Sequence, residues 1–149
     1  MKAISVRQPW ADLIISGSKT IEIRKLRTKY RGTLLIHAAR IRGTHEFVRA
    51  KVDVKSIDDY PQQAIIGLVT LVDVIPLNEK LWTELKEKHL LPGKWSSFEH
   101  KYAWIIENPV RLKPIPFIGY PAIYTVNPNI EDVVKEQLKF EQGDWKIDA

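Results

Sequence analysis

The chain contains no cysteine, which excludes disulfides, cysteine nucleophiles and cysteine-based zinc sites together. It also lacks any apolar run near the roughly 20 residues that span a bilayer. Asp12 interrupts the short apolar stretch near the N-terminus, and no small-residue cleavage site follows it, so neither a signal peptide nor a membrane partner is expected and the cytoplasm is the default location. Acidic side chains are scarce in the first third: residues 1 to 55 hold 13 Lys and Arg against 4 Asp and Glu, whereas the remainder holds 10 against 14. The net charge of +5 is therefore concentrated in one part of the chain. Such clustering predicts a surface that meets a polyanion, with nucleic acid the commonest partner.

What is present suits a globular protein. Hydrophobic residues make up 44% and charged ones 28%, and 149 residues are enough for one domain, 1–149, with a substantial core. Patterning predicts a strand over Ala3–Val6, a helix opening at Pro9 and stopped by Gly17, and a strand over Lys19–Arg24. A buried strand over Thr33–Ala39 and a helix from Thr44 to about Val52 follow. The β-branched run from Ala64 to Leu77 reads as one long strand, with Gly67 at a bend or close approach. Asn78 can cap a helix reaching about His89. Tyr102–Glu107 and Val110–Ile115 are extended, with Pro114 and Pro116 confining the second to an edge or bulge. A short strand over Ala122–Val126 and a helix from Pro128 to about residue 140 complete the chain. Strands interrupted by helices without regular βαβ alternation predict an α+β fold, built on a small, mostly antiparallel β-barrel with flanking helices.

Within this order, Lys19-Thr20-Ile21-Glu22-Ile23-Arg24 is the stretch that bears chemistry. Alternation points Ile21 and Ile23 one way and Thr20, Glu22 and Arg24 the other, separating an apolar face from an ionic one. An ordinary surface ion pair of Glu22 with Arg24 is the plain alternative. The following arm carries Lys25, Arg27, Lys29 and Arg31, with Tyr30 among them, a composition that suits a phosphate backbone and one stacked base.

Three segments then carry a family resemblance: Ile4-Ser5-Val6-Arg7-Gln8-Pro9-Trp10-Ala11, Gly17 through Arg24, and Tyr30-Arg31-Gly32-Thr33-Leu34-Leu35-Ile36-His37-Ala38. Ala64-Ile65-Ile66-Gly67, Val72-Asp73-Val74 and Tyr102 through Pro109 continue it in order. The chain resembles the ASCH family, and through it the PUA-like RNA-binding barrels, over roughly residues 3 to 126. The resemblance implies a barrel beside a cleft lined by a G-x-K-x-x-E-x-R motif, here Gly17, Lys19, Glu22 and Arg24, with a role in recognising RNA or a modified nucleoside.

Residue chemistry agrees with that role. Lys19 and Arg24 can hold phosphate, and Glu22 can accept from an exocyclic amine or orient a cation. Trp10 and Trp104 offer stacking faces if either borders the cleft, although core packing is the commoner use of a tryptophan. Arg7 and Gln8 stand at the turn before the helix, where Gln8 can read a base edge or cap the helix. The candidate interface is thus Arg7, Gln8, Trp10, Lys19, Glu22, Arg24, Arg27, Lys29, Tyr30, Arg31 and Trp104, facing RNA or single-stranded DNA.

Some ASCH proteins resemble amidohydrolases that remove the acetyl group from N-acetylated cytidine, which implies a hydrolase alternative using Lys19 and Glu22. Those enzymes place Thr where this chain has Glu22, and a downstream carboxylate, for which Glu99 and Glu107 are the candidates. The departure favours binding over catalysis. A ribonuclease with Glu22 as base is a further alternative, and a protein-interaction module a third. His37 reads as a structural barrel residue, and His45, His89 and His100 as exposed ones. Their spacing offers no metal set, and no cofactor is expected.

Overall fold

The computed structural model describes residues 1–96 and 101–142. One sheet contains β1 (Lys2–Val6), β2 (Ile21–Arg24), β3 (Gly32–Ala38), β4 (Ala64–Pro76), β5 (Tyr102–Pro116) and β6 (Ile123–Thr125). Helices α1 (Trp10–Ile15), α2 (His45–Arg49), α3 (Glu79–Glu84), α4 (Lys86–His89) and α5 (Pro128–Gln142) flank it. The strand order is β2-β5-β4-β3-β1-β6, antiparallel throughout except where β1 lies parallel to β3.

The α+β class and the mostly antiparallel pairing match expectation, but the barrel is not closed. β2 and β6 are the two sheet edges and are not hydrogen-bonded to each other. Strands β2 and β1 stand four places apart, which in a flat sheet would separate them by about 19 Å. Instead the Arg24 guanidinium donates to the Ser5 carbonyl at 2.6 Å. The sheet therefore curls until its edges nearly meet, and a side chain rather than a ladder spans the gap. With four residues in β2 and three in β6, little backbone is available to complete a ladder. Register shifts along β4 and β5, and another between β3 and β4, supply the bending.

The apolar run of β3 is explained by its two buried faces. Leu34 and Ile36 join Ile4, Val6, Ile14, Val69, Leu71, Trp104 and Ile106 in one core cluster, whereas Leu35 joins Ala3, Ile65, Leu68, Leu112 and Ile115 in another. Val134 and Leu138 of α5 cover the second cluster. Gly67 is the close approach that its sequence context predicted: a Cβ there would lie 2.5 Å from the Val110 carbonyl oxygen and 2.6 Å from Ile15 Cδ1.

Several boundaries differ from expectation. Helix α2 stops at Arg49, with Lys51 at φ +58°, and Thr44 makes no side-chain cap. Asn78 does cap α3, its Oδ1 accepting from the Leu81 N–H at 2.8 Å, but the helix expected to reach His89 divides at Leu85. The two extended segments near the C-terminus form the single strand β5, with Asn108 at φ +53°. β2 covers only Tyr102–Ile105, so Pro114 and Pro116 fall beyond it, where a missing N–H leaves no ladder bond unmade.

Candidate nucleic-acid interface

Gly17 ends α1 in the left-handed region, φ +87°, as the sequence suggested. The next turn ties β2 to the end of α4, because the Thr20 N–H donates to the Lys88 carbonyl at 3.0 Å. This connection sends Lys19 inward. Its side chain is fully buried, and the ammonium donates to the His89 carbonyl, lies 3.7 Å from Glu22 Oε1 and sits 5.2 Å from the centre of the Trp10 ring. A carbonyl, a carboxylate and a π face together replace the water that the charge has lost. Burial nevertheless holds the Lys19 ammonium below the usual lysine range; Glu22 opposes that shift, and the Arg24 and Arg49 guanidiniums add to it.

Glu22 extends the series outward. Its Oε2 lies 3.4 Å from Arg24 Nε, and Arg24 is anchored in turn on the Ser5 carbonyl. The buried Nε has no hydrogen-bond partner, so the ion-pair approach alone compensates it. Side-chain exposure rises from 0% at Lys19 through 11% at Glu22 to 28% at Arg24. The motif is thus a relay of alternating charge from a sealed interior to a half-open guanidinium. Lys19 is placed as its internal end and not where a phosphate would meet it.

Beyond Arg24, the gap between the sheet edges forms a cavity of about 510 Å³. Ile4, Ile23, Trp104 and Ile123 give it apolar walls, while Arg24, Lys25 and Arg27 bring cations to it. The clean division of faces expected for β2 does not hold here, since Ile23 and Arg24 line the same space.

The remaining candidates separate into three settings. Trp10 and Trp104 are both buried in the core, with the Trp10 indole donating to Glu46 Oε1 at 3.1 Å and that of Trp104 to the Leu26 carbonyl at 2.9 Å. Gln8 is buried and its amide is committed, donating to the Pro61 carbonyl and accepting from the Asp12 N–H in the first turn of α1. That arrangement supports the helix, so Gln8 is not placed to read a base edge. Tyr30 is half-buried, its hydroxyl donates to the Thr33 carbonyl, and burial raises its pKa above the usual tyrosine value. In the arm, Arg31 bonds the Thr28 and Tyr30 carbonyls and pairs with Asp73 at 3.3 Å. Arg27 and Lys29 are exposed, with no ion pair among the described residues. Arg7 is exposed elsewhere, in a second cavity beside α2.

Sequence reading missed Glu46, Arg49 and His89. Glu46 accepts both the Trp10 indole and Arg49, the latter at 2.8 Å. The three-residue spacing of Glu46 and Arg49 on a helix was the available signal. His89, expected to be exposed, is completely buried: it stacks on Trp82 at 4.4 Å, its Nε2 donates to the Trp82 carbonyl, and its Nδ1 accepts from the Leu91 N–H. Burial lowers its pKa; the Trp82 bond opposes this, and Lys19, Lys86 and Lys101 reinforce it. His37 has the structural setting expected of it, with Nδ1 bonded to Ser5 Oγ at 3.0 Å and Nε2 to the Phe117 carbonyl.

Glu107 lines a cavity of about 650 Å³ to which Lys19 also contributes, but the carboxylate that reaches the ammonium is Glu22. Glu99 and His100 lie outside the described residues. Among the described residues no group of three or more His, Asp or Glu is arranged to hold a metal ion, and no helix is long and apolar enough to cross a membrane.

A family model for the ASCH domain matches residues 4–117, the region that holds most of β1, all of β2 to β5 and the Lys19–Glu22–Arg24 relay. The chain belongs to the ASCH domain family. Over 146 residues this ASCH chain is 28% identical to activating signal cointegrator 1 of Homo sapiens and 29% identical to that of Mus musculus, in each case covering 91% of this chain and 24% of the relative. It therefore spans about a quarter of the length of these relatives. Among solved structures, ASCH from Zymomonas mobilis superposes with a TM-score of 0.67 at 17% identity, over 90% of this chain and 93% of the other. A substituted form of that protein gives 0.66 at 17% identity, over 90% and 96%. These structural likenesses show the ASCH fold.

Proposed function

We propose that this ASCH domain binds single-stranded RNA, seating a nucleotide in the cavity between the open sheet edges with its phosphates against Arg24 and the arm that follows. The observation that supports this best is the gathering of apolar walls from Ile4, Ile23, Trp104 and Ile123 with Arg24 and Arg27 in one space of about 510 Å³. A base needs an apolar or aromatic bed, and its phosphate needs guanidinium donors within reach. The Glu22 carboxylate and the Ser5 carbonyl hold Arg24 in one orientation, so little rotamer freedom is lost when a ligand arrives. Lys19 supports the site from behind by fixing Glu22.

Anisotropy titration of a labelled single-stranded RNA across a salt series tests this reading. Log affinity should fall linearly with log salt, and replacing Arg27 and Lys29 by Gln should reduce the slope by about 0.7 for each phosphate contact removed. An equal titration with single-stranded DNA measures preference. Absence of binding at low salt, or binding unchanged in the variants, defeats the proposal.

The lowered basicity of Lys19 is the one observation that favours a deacetylating hydrolase acting on N-acetylcytidine. Against it, the ammonium is buried and held by the His89 carbonyl and Glu22, and Glu22 stands where the deacetylating enzymes place Thr. For a ribonuclease, Glu22 lacks a histidine partner among the described residues. Chromatographic detection of cytidine release from the acetylated nucleoside distinguishes the hydrolase from the binding domain.

A further inference from the structure

The turn between β1 and α1 and the loop between β3 and α2 enclose a second cavity, of about 370 Å³. Arg7, Arg40, Arg42 and His45 line it, with Glu46 as its only acidic residue. The Glu46 carboxylate is already engaged by Arg49 and by the Trp10 indole. Of the eight arginines in the chain, Arg24, Arg31, Arg49 and Arg111 each pair with a carboxylate. Among the described residues Arg7, Arg27, Arg40 and Arg42 have no such partner, and three of these four line this one cavity.

Three guanidiniums around one space repel each other, and a bound anion reverses that cost. Guanidinium is also the side chain whose planar fork fits phosphate oxygens two at a time. The amount of charge identifies the kind of phosphate. An internal phosphodiester carries a single negative charge, whereas a phosphomonoester carries about 1.5 to 2 at neutral pH and presents three strong acceptor oxygens. The rigid wall beside the cavity suits recognition as well, because the Gln8 amide is locked by the Pro61 carbonyl and the Asp12 N–H. We propose that the Arg7, Arg40 and Arg42 cavity is a phosphomonoester site, which takes the terminal phosphate of an oligonucleotide or of a free mononucleotide. The choice of a nucleotide rests on the RNA-binding reading; the choice of a phosphomonoester rests on the three unpaired guanidiniums. Glu46, which lines this cavity, also accepts from the Trp10 indole, whose ring lies 5.2 Å from the Lys19 ammonium, so the cavity is linked to the inner end of the charge relay.

The test compares one single-stranded RNA bearing a 5′-phosphate, a 3′-phosphate or only hydroxyl ends, together with AMP against adenosine. The whole chain is used, as parent, as Arg40→Gln/Arg42→Gln, as Arg7→Gln, and as Lys80→Gln/Lys94→Gln, which removes equal charge elsewhere. Circular dichroism checks that each variant folds, and Arg7→Gln decides the matter if the double variant does not. The expected result is binding about tenfold or more tighter for a phosphorylated end, or for AMP over adenosine, corresponding to one charge-assisted contact. That advantage disappears in the Arg7, Arg40 and Arg42 variants and survives in the Lys80 and Lys94 variant. Equal affinity with and without the terminal phosphate overturns the site, as does an advantage that persists in the arginine variants or is lost equally in the lysine control. Hydroxyl-ended RNA binding without a phosphate preference leaves the RNA reading intact and removes this one. AMP binding that depends on these arginines without any RNA binding does the reverse.

Discussion

Replacing Glu22 by Gln removes the only carboxylate among the described residues that approaches the Lys19 ammonium, at 3.7 Å, while leaving side-chain size almost unchanged. Because the Lys19 side chain is fully enclosed, its charge is then left with one carbonyl and one ring face. Breaking one partner of a buried ion pair typically costs roughly 3 to 5 kcal/mol. The lower end applies here, since Glu22 retains slight exposure, and 3 kcal/mol corresponds to a fall of about 6 to 12 °C in Tm for a domain near this size. Arg24 also loses the carboxylate that compensates its buried Nε, which adds to this loss, although the side chain is part-exposed and its terminal nitrogen keeps the Ser5 carbonyl.

The pH dependence identifies the buried amine. Lys19 has its folded pKa below the unfolded value, so between the two the unfolded chain binds more protons and stability rises with pH. Glu22 is what raises the folded value, so Glu22→Gln lowers it further and widens this window towards neutrality. Urea unfolding at pH 7 and pH 9.5 should therefore show the variant recovering stability relative to the parent at the higher pH. Lys19→Met combined with Glu22→Gln should return to within about 1 kcal/mol of the parent or exceed it, because apolar replacement of a buried pair is often neutral or stabilising. A Glu22→Gln variant as stable as the parent at pH 7, or a double variant no better than the single one, refutes the charge relay.

Three further outcomes follow from the fold. Gly67→Ala should lose about 1 to 3 kcal/mol by thermal unfolding, because its Cβ would meet the Val110 backbone carbonyl, which cannot swing aside, as well as the Ile15 side chain. Asn78→Ala should cost about 1 kcal/mol and reduce helical circular dichroism, because α3 loses the acceptor for the Leu81 N–H. His37 is held below its ordinary pKa by burial, with the Phe117 bond opposing, so its contribution is present above about pH 6.5 and is lost as pH falls through the folded value. The stability difference between the parent and His37→Gln should accordingly narrow between pH 7.5 and pH 5.

Local features of the sequence were legible where one residue type has one structural use. Gly17 could take φ +87°, Asn78 could accept from an N–H three residues on, and Gly67 could let β5 come close. The paired-face burial of β3 was visible as a largely apolar run with His37 as its odd member. Direction was harder to read. Lys19 has the same composition whether it reaches solvent or folds under α4, and only the bond between Thr20 and Lys88, nearly seventy residues apart, decides the matter. His89 likewise reads as a polar helix end until Trp82 is seen stacked on it. Closure of the sheet depended on whether two short edge strands meet, and Arg24 bridges them by a side chain that no hydrophobic period reports.

Chemical-shift mapping of a single-stranded RNA on the isotopically labelled chain tests the binding claim most directly. Perturbations are expected to concentrate at Arg24–Arg27, at the Trp104 indole N–H and at Ala122 and Ile123, which border the same cavity. Arg24→Gln should also weaken binding by about tenfold or more, as loss of a charge-assisted contact requires. Perturbations confined to α5 or to the cavity beside Glu107, with Arg24→Gln binding as the parent does, would contradict the binding claim.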